Sequence, residues 1–209
     1  ADRELVMNTF WTNRRRFENS LAALYDGGTQ HHLFSARAGN FKDCLEARLF
    51  ANDIDPAVYL QLIKSVKENL APLHRFLKLR KELLGLDKYK FGDLYASAVK
   101  SVDKTYAFDE ARELILAALK PLGPEYAAAL GGAFNNRWID IYPNKDKQSG
   151  AYSSGVYGDH PYIKMNYNGE YDDVSTLAHE LGHALHSHFA YQAQAYPNAH
   201  YPTFLAEVA

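Results

Sequence analysis

The chain has 209 residues, 47% of them hydrophobic and 13% aromatic, enough to fill the core of one or two domains and too many for a disordered segment. A formal net charge of −2, with no basic stripe, excludes the electrostatic footprint of a nucleic-acid binder. No stretch approaches the roughly eighteen apolar residues that span a bilayer as a helix, and no amino-terminal signal peptide is visible.

Residues from about Arg3 to Tyr25 carry an amphipathic pattern that Gly27-Gly28 is expected to stop, and Arg14-Arg15-Arg16 within it reads as a solvated face. The single cysteine, Cys44, forbids an intrachain disulfide. It reads as a small buried packing residue in a reducing compartment, so the expected location is the cytoplasm. Asp55-Pro56 offers an N-cap followed by proline at the first helical position. The long helix that follows carries Val58, Leu62, Ile63, Val66, Leu70, Leu73, Phe76 and Leu77 as an expected core stripe, with Pro72 kinking it and Gly85 ending it. A further helix is expected from near Asp109 to Leu119, ahead of Pro121. There are no internal repeats or low-complexity linkers.

After residue 137 the period changes. Trp138-Ile139-Asp140-Ile141-Tyr142 and Tyr162-Ile163-Lys164-Met165-Asn166-Tyr167 alternate, with Gly150, Gly155 and Gly158 between them, which implies a small sheet. An exposed edge strand there would pair with an extended peptide through main-chain bonds, and Gly150, Ala151 and Tyr152 are the expected substrate-binding positions. The competing reading is a glycine-rich hairpin loop whose tyrosines pack locally.

Asp172-Asp173 then offers an N-cap and favourable charge for a helix whose apolar face is Leu177, Ala178, Leu181, Ala184 and Leu185. Inside it stands His179-Glu180-Leu181-Gly182-His183. Two histidines four residues apart (183 − 179 = 4) lie on one helical face, about 6 Å apart along the axis, close enough to share one metal ion. Glu180, one residue from the first imidazole, can reach a water on that metal and take its proton as general base. His186 lies about 10 Å along the axis from His179, too far to bind the same ion, so it and His188 read as supporting or partly solvated histidines. A catalytic zinc site takes three protein ligands and keeps a position open. Glu207, 24 residues after His183 (207 − 183 = 24) and just past an apparent helix start at Pro202-Thr203, is the expected third ligand. That spacing lets the metal helix end near Tyr191 and the chain turn at Tyr196-Pro197-Asn198, and it leaves His200 as a rival.

The stretch from Asp172 to Ala209, with its Thr176-to-Ser187 run and Phe204-Leu205-Ala206-Glu207-Val208-Ala209, resembles the active-site region of oligoendopeptidase F in the thimet-oligopeptidase family of zinc peptidases. Asn135 to Tyr142, Lys147 to Ser153, Leu73-His74-Arg75 and Leu119 to Gly123 are similar to that family as well, so the resemblance covers essentially the whole chain. It implies His179, His183 and Glu207 as ligands of one Zn2+ ion, Glu180 as general base and proton shuttle, and short oligopeptides as substrates. Members are several hundred residues long. The resemblance therefore implies an internal piece of a larger domain, with amino- and carboxyl-terminal segments of the same enzyme completing it and supplying oxyanion donors.

The expected fold is mainly α, a helical zincin-type catalytic domain fragment with a small β-sheet beside the metal helix. Its expected parts are a helical part at 1–137, a β-rich segment at 138–171 and metal-binding helices at 172–209, all within one incomplete catalytic domain. The expected activity is zinc-dependent cleavage of internal bonds in oligopeptides, the isolated piece being close to inactive. Hydrolysis of some other amide, or a non-catalytic helical peptide-binding scaffold, are the alternatives, and no nucleic-acid or membrane partner is expected.

Overall fold

The computed structural model describes residues 2–98 and 104–207, and the chain divides into two compact units, Ala1–Ser101 and Val102–Ala209. The first contains α1 (Asp2–Arg15), α2 (Glu18–Ala38), α3 (Cys44–Phe50), α4 (Pro56–Glu68) and α5 (Ala71–Leu83), then a 3₁₀ turn at Phe91–Asp93. Gly27-Gly28 does not stop a helix. Each interior glycine costs only about 1 kcal/mol relative to alanine, too little to break the 21-residue α2. The stop comes where Asn40 takes φ +57° and the amides of Asn40 and Phe41 bond back to the carbonyls of Arg37 and Ala36 at 3.1 and 2.9 Å.

The expected kinked helix over residues 56–85 is likewise two helices. Asp55 caps α4 by accepting from the Ala57 amide at 2.7 Å, as its sequence position suggested. Pro72, however, sits in the first turn of α5, where its missing N–H leaves no bond unmade, and the break falls at Asn69-Leu70 before it. Gly85, at φ +63°, ends α5 with its amide on the Glu82 carbonyl. The apolar stripe of these helices is not a core in this chain: Val66 and Phe76 are each 54% exposed, and neither helix buries a residue. A stripe is buried only where a second layer covers it, and the described residues supply none. Cys44 is half-buried at the start of α3 rather than enclosed.

The second unit positions the site. It contains α6 (Phe108–Ala118), α7 (Pro124–Asn135), β1 (Ile139–Asp140), β2 (Tyr152–Ser154), β3 (Tyr162–Lys164), α8 (Tyr171–Ala193) and the single-turn α9 (Thr203–Ala206). Within this unit α6, α7, β2 and β3 all pack against α8. Residues 174, 177, 181, 184 and 185 recur at helical spacing and bury one face of α8 against Ala111, Ile115, Leu130, Ala133 and Ile163. Full burial of leucines such as Leu181 contributes about 1.5–3 kcal/mol each. The sheet order is β1-β3-β2, parallel between β1 and β3 and antiparallel between β2 and β3. The alternating segments seen in the sequence pair beyond the short strands, with the amides of Ile163, Met165 and Tyr167 bonding to the carbonyls of Trp138, Asp140 and Ile141.

The entry into α8 is built on one glycine. Gly169 has φ +89°, its carbonyl accepts from the Tyr106 amide at 2.8 Å, and a Cβ there would stand 2.8 Å from Thr105 Cγ2 and 3.2 Å from the Tyr106 carbonyl. Glu170 is the N-cap, not Asp172 or Asp173. Asp173 reaches back from the first turn to the amides of Asn168 and Glu170 at 2.8 and 3.0 Å, so its side chain satisfies donors just ahead of the helix. Gly169→Ala is expected to destabilise the fold by about 1–3 kcal/mol, since it combines a strained φ with a clash against the Thr105 methyl and a tight approach to the Tyr106 carbonyl. A thermal melt of the variant checks this, and an unchanged midpoint contradicts it.

Candidate metal centre

α8 buries its apolar face and turns the imidazoles of His179 and His183 to the opposite side. Their Nε2 atoms lie 3.0 Å apart, with the rings nearly perpendicular at 84°. The chain leaves α8 at Ala193, makes a 3₁₀ turn at Tyr196–Asn198, and returns through α9 to Glu207, which caps that short helix. A Glu207 carboxylate oxygen comes 3.8 Å from His183 Nε2, and the three donor atoms lie within 4.8 Å of one another. Ligands held at about 2.0–2.2 Å around a tetrahedral ion stand roughly 3.3–3.6 Å apart. The observed separations straddle that value, and two imidazole nitrogens with a carboxylate are a donor set suited to zinc. These residues could therefore hold a metal.

Glu180, one residue from His179, is buried at 7% exposure, whereas His179 is exposed and Glu207 keeps 58% of its side chain accessible. His200, the rival, is not in this group; its ring lies against Tyr191 and Tyr196. His186 stacks face-on with Tyr201 at 3.8 Å. Burial, and then proximity to His183, lowers its pKa, so it stays neutral more readily than an ordinary histidine. His188 packs against Trp138 and bonds to Gln192 at 2.9 Å, and burial followed by proximity to His160 lowers its pKa in the same direction. Val208 and Ala209, the end of the Glu207 motif, lie outside the described residues.

Gly150, Ala151 and Tyr152 lead into β2, which runs beside α8 and among the described residues pairs only with β3, leaving its other edge open. Gly155 lets this strand close on the helix: a Cβ there would stand 3.0 Å from the Tyr191 hydroxyl. Tyr152 is 54% exposed, with the Lys164 ammonium 5.3 Å from its ring centre. The reading of a loop with locally packed tyrosines thus holds for Tyr157, whose ring meets Tyr191 and Tyr196, but not for Tyr152. One residue at the centre had no signal in the sequence. Tyr201 bonds to Ser187 at 2.7 Å and reaches the His183 carbonyl at 3.4 Å, contacts that no spacing rule foretells because they cross an irregular loop.

One helix thus presents two imidazoles, and a later turn of chain returns a carboxylate beside them, which makes a group of three donors able to hold a metal ion. The whole chain, residues 1–209, matches Peptidase family M3, and it belongs to that family. Oligopeptidase PepF of Bacillus subtilis (strain 168) is 40% identical over 211 residues, an alignment covering 100% of this chain and 32% of that protein. An oligoendopeptidase F homolog of Borreliella burgdorferi is 38% identical over 202 residues, covering 96% and 34%. Among solved structures, a chain from Chlamydophila abortus superposes with a TM-score of 0.74 at 41% identity, covering 93% of this chain and 33% of that one. Oligoendopeptidase-F from Enterococcus faecium superposes at 0.57 with 28% identity, covering 90% and 27%. The mainly helical fold with its small sheet is thus shared with peptidase structures, and the chain spans about a third of the length of the curated relatives it matches.

Proposed function

We propose that this chain carries the catalytic centre of a zinc-dependent endopeptidase acting on internal bonds of short oligopeptides, with His179, His183 and Glu207 holding one ion and Glu180 as general base. The observation that carries the reading is the convergence of three donor atoms within 4.8 Å on a member of peptidase family M3. Held there, a zinc ion would supply Lewis acidity toward the scissile carbonyl and the attacking water. Glu180 takes a proton from that water on its carboxylate and delivers it to the departing amine nitrogen. Its burial keeps bulk water from competing for the carboxylate and holds the group beside His179.

In this reading an extended peptide lies along Gly150-Ala151-Tyr152 and bonds main chain to main chain with the open edge of β2, so binding tolerates varied side chains. The restriction to short substrates is supported by the relatives' names, oligopeptidase and oligoendopeptidase. Those relatives are about three times as long, and we assign the other wall of the cleft and further oxyanion donors to sequence beyond this third. No helix of the described residues is long and apolar enough to cross a membrane, and a single half-buried thiol fits the cytoplasm.

Protein purified without chelator is expected to carry one zinc per chain, with His179, His183 and Glu207 at about 2.0–2.2 Å. Exhaustive chelation is expected to stop cleavage of an internally quenched oligopeptide, and added Zn2+ to restore it. Cleavage that persists after complete metal removal sinks the proposal, and a metal-loaded structure with Glu207 turned away removes it as third ligand.

A further inference from the structure

Glu207 reaches the two imidazoles from a stretch of chain with little regular structure to hold it, a 3₁₀ turn at Tyr196–Asn198 and the four-residue α9. Within that stretch Tyr201 grips the turn of α8 that begins at His183. Its hydroxyl lies 2.7 Å from Ser187 Oγ and 3.4 Å from the His183 main-chain oxygen, and its ring covers His186 with the two planes 11° apart. The path onward to Glu207 is short and stiff. Pro202 fixes its own φ at −71° and its carbonyl accepts from Leu205 and Ala206 at 2.9 and 3.1 Å, after which the Glu207 amide bonds to Thr203 at 3.2 Å.

We infer that Tyr201 is a positioning residue for the metal centre: its hydroxyl references the Glu207 segment to the turn of α8 that presents His183, and so sets the separation of the two ligands before metal arrives. This rests on the proposal that His179, His183 and Glu207 are the ligand set. A carboxylate on an untied loop surrenders conformational freedom when it binds, which subtracts from affinity, and a tie made in advance removes that cost. Hydrogen-bonded groups behind metal ligands act in this way elsewhere, with effects of about 10–100-fold on affinity.

The test uses the full natural polypeptide that contains this chain, comparing the parent with Tyr201→Phe, which keeps the ring on His186 and deletes the hydroxyl. In metal-free protein, hydrogen exchange over residues 199–207 is expected to quicken. Zinc affinity, measured by competition with a chromophoric chelator, is expected to weaken about 10-fold, and the visible spectrum of the cobalt-substituted protein to change. Ser187→Ala, which leaves the hydroxyl its contact with the His183 carbonyl, is expected to weaken affinity in the same direction by no more than Tyr201→Phe, and the double variant to match Tyr201→Phe, because the Ser187 bond is already lost with the hydroxyl. A lowered melting temperature with parental zinc affinity and cobalt spectrum assigns Tyr201 to fold stability alone and overturns the inference. Parental exchange over 199–207 overturns it too. A parent protein that binds no zinc, with exchange still responsive to the substitution, identifies the ligand proposal as the failure and ends the positioning role with it.

Discussion

Glu180→Gln is expected to keep the metal and lose the reaction, with turnover falling by about two to four orders of magnitude. Glutamine matches the shape of glutamate, so the buried position beside His179 stays filled and the apolar face of α8 is undisturbed. What disappears is the basicity: an amide oxygen does not accept a proton from water near neutral pH, and the leaving nitrogen then departs without the proton it needs. Zinc content should match the parent, because Glu180 stands apart from the three converging donors. The decisive comparison is kcat on an internally quenched oligopeptide with zinc content measured on the same sample. Turnover at the parent rate would show that Glu180 is not the base.

His183→Ala is expected to abolish both zinc binding and cleavage, a loss at least as large as about 10⁴-fold in turnover. His183 is central to the trio, with Nε2 3.0 Å from His179 Nε2 and 3.8 Å from the Glu207 carboxylate. Two remaining donors leave too few to fix an ion. The fold itself should survive, since the side chain is 20% exposed and the buried stripe of α8 lies on other residues. Metal analysis and a circular dichroism melt on one preparation separate these effects. A variant that still holds stoichiometric zinc at wild-type affinity removes His183 from the ligand set.

Local signals in the chain were legible wherever physics is local. The cap at Asp55, the αL glycine at Gly85, the helix ending ahead of Pro121 and the buried stripe on α8 all follow from a few adjacent residues, and the structure has them. Gly27-Gly28 and Pro72 misled because a breaker's effect depends on what flanks it. Two glycines cost little inside a long helix, and a proline is harmless once the chain places it in a first turn. The stripe on α4 and α5 reads as core, yet whether it is covered is decided by elements far along the sequence.

By itself, the sequence determined that His179 and His183 share a helix face with Glu180 one residue away, because helical periodicity sets those positions once the segment is helical. Only the tertiary structure decided that Glu207, and not His200, comes beside the two imidazoles. It alone made β2, rather than β3, an edge strand, through the order β1-β3-β2, and brought Tyr201 onto the turn that begins at His183. The reason is the same in each case. Residues joined by irregular chain can take many relative positions, and long-range packing, which no short window of sequence encodes, selects one of them.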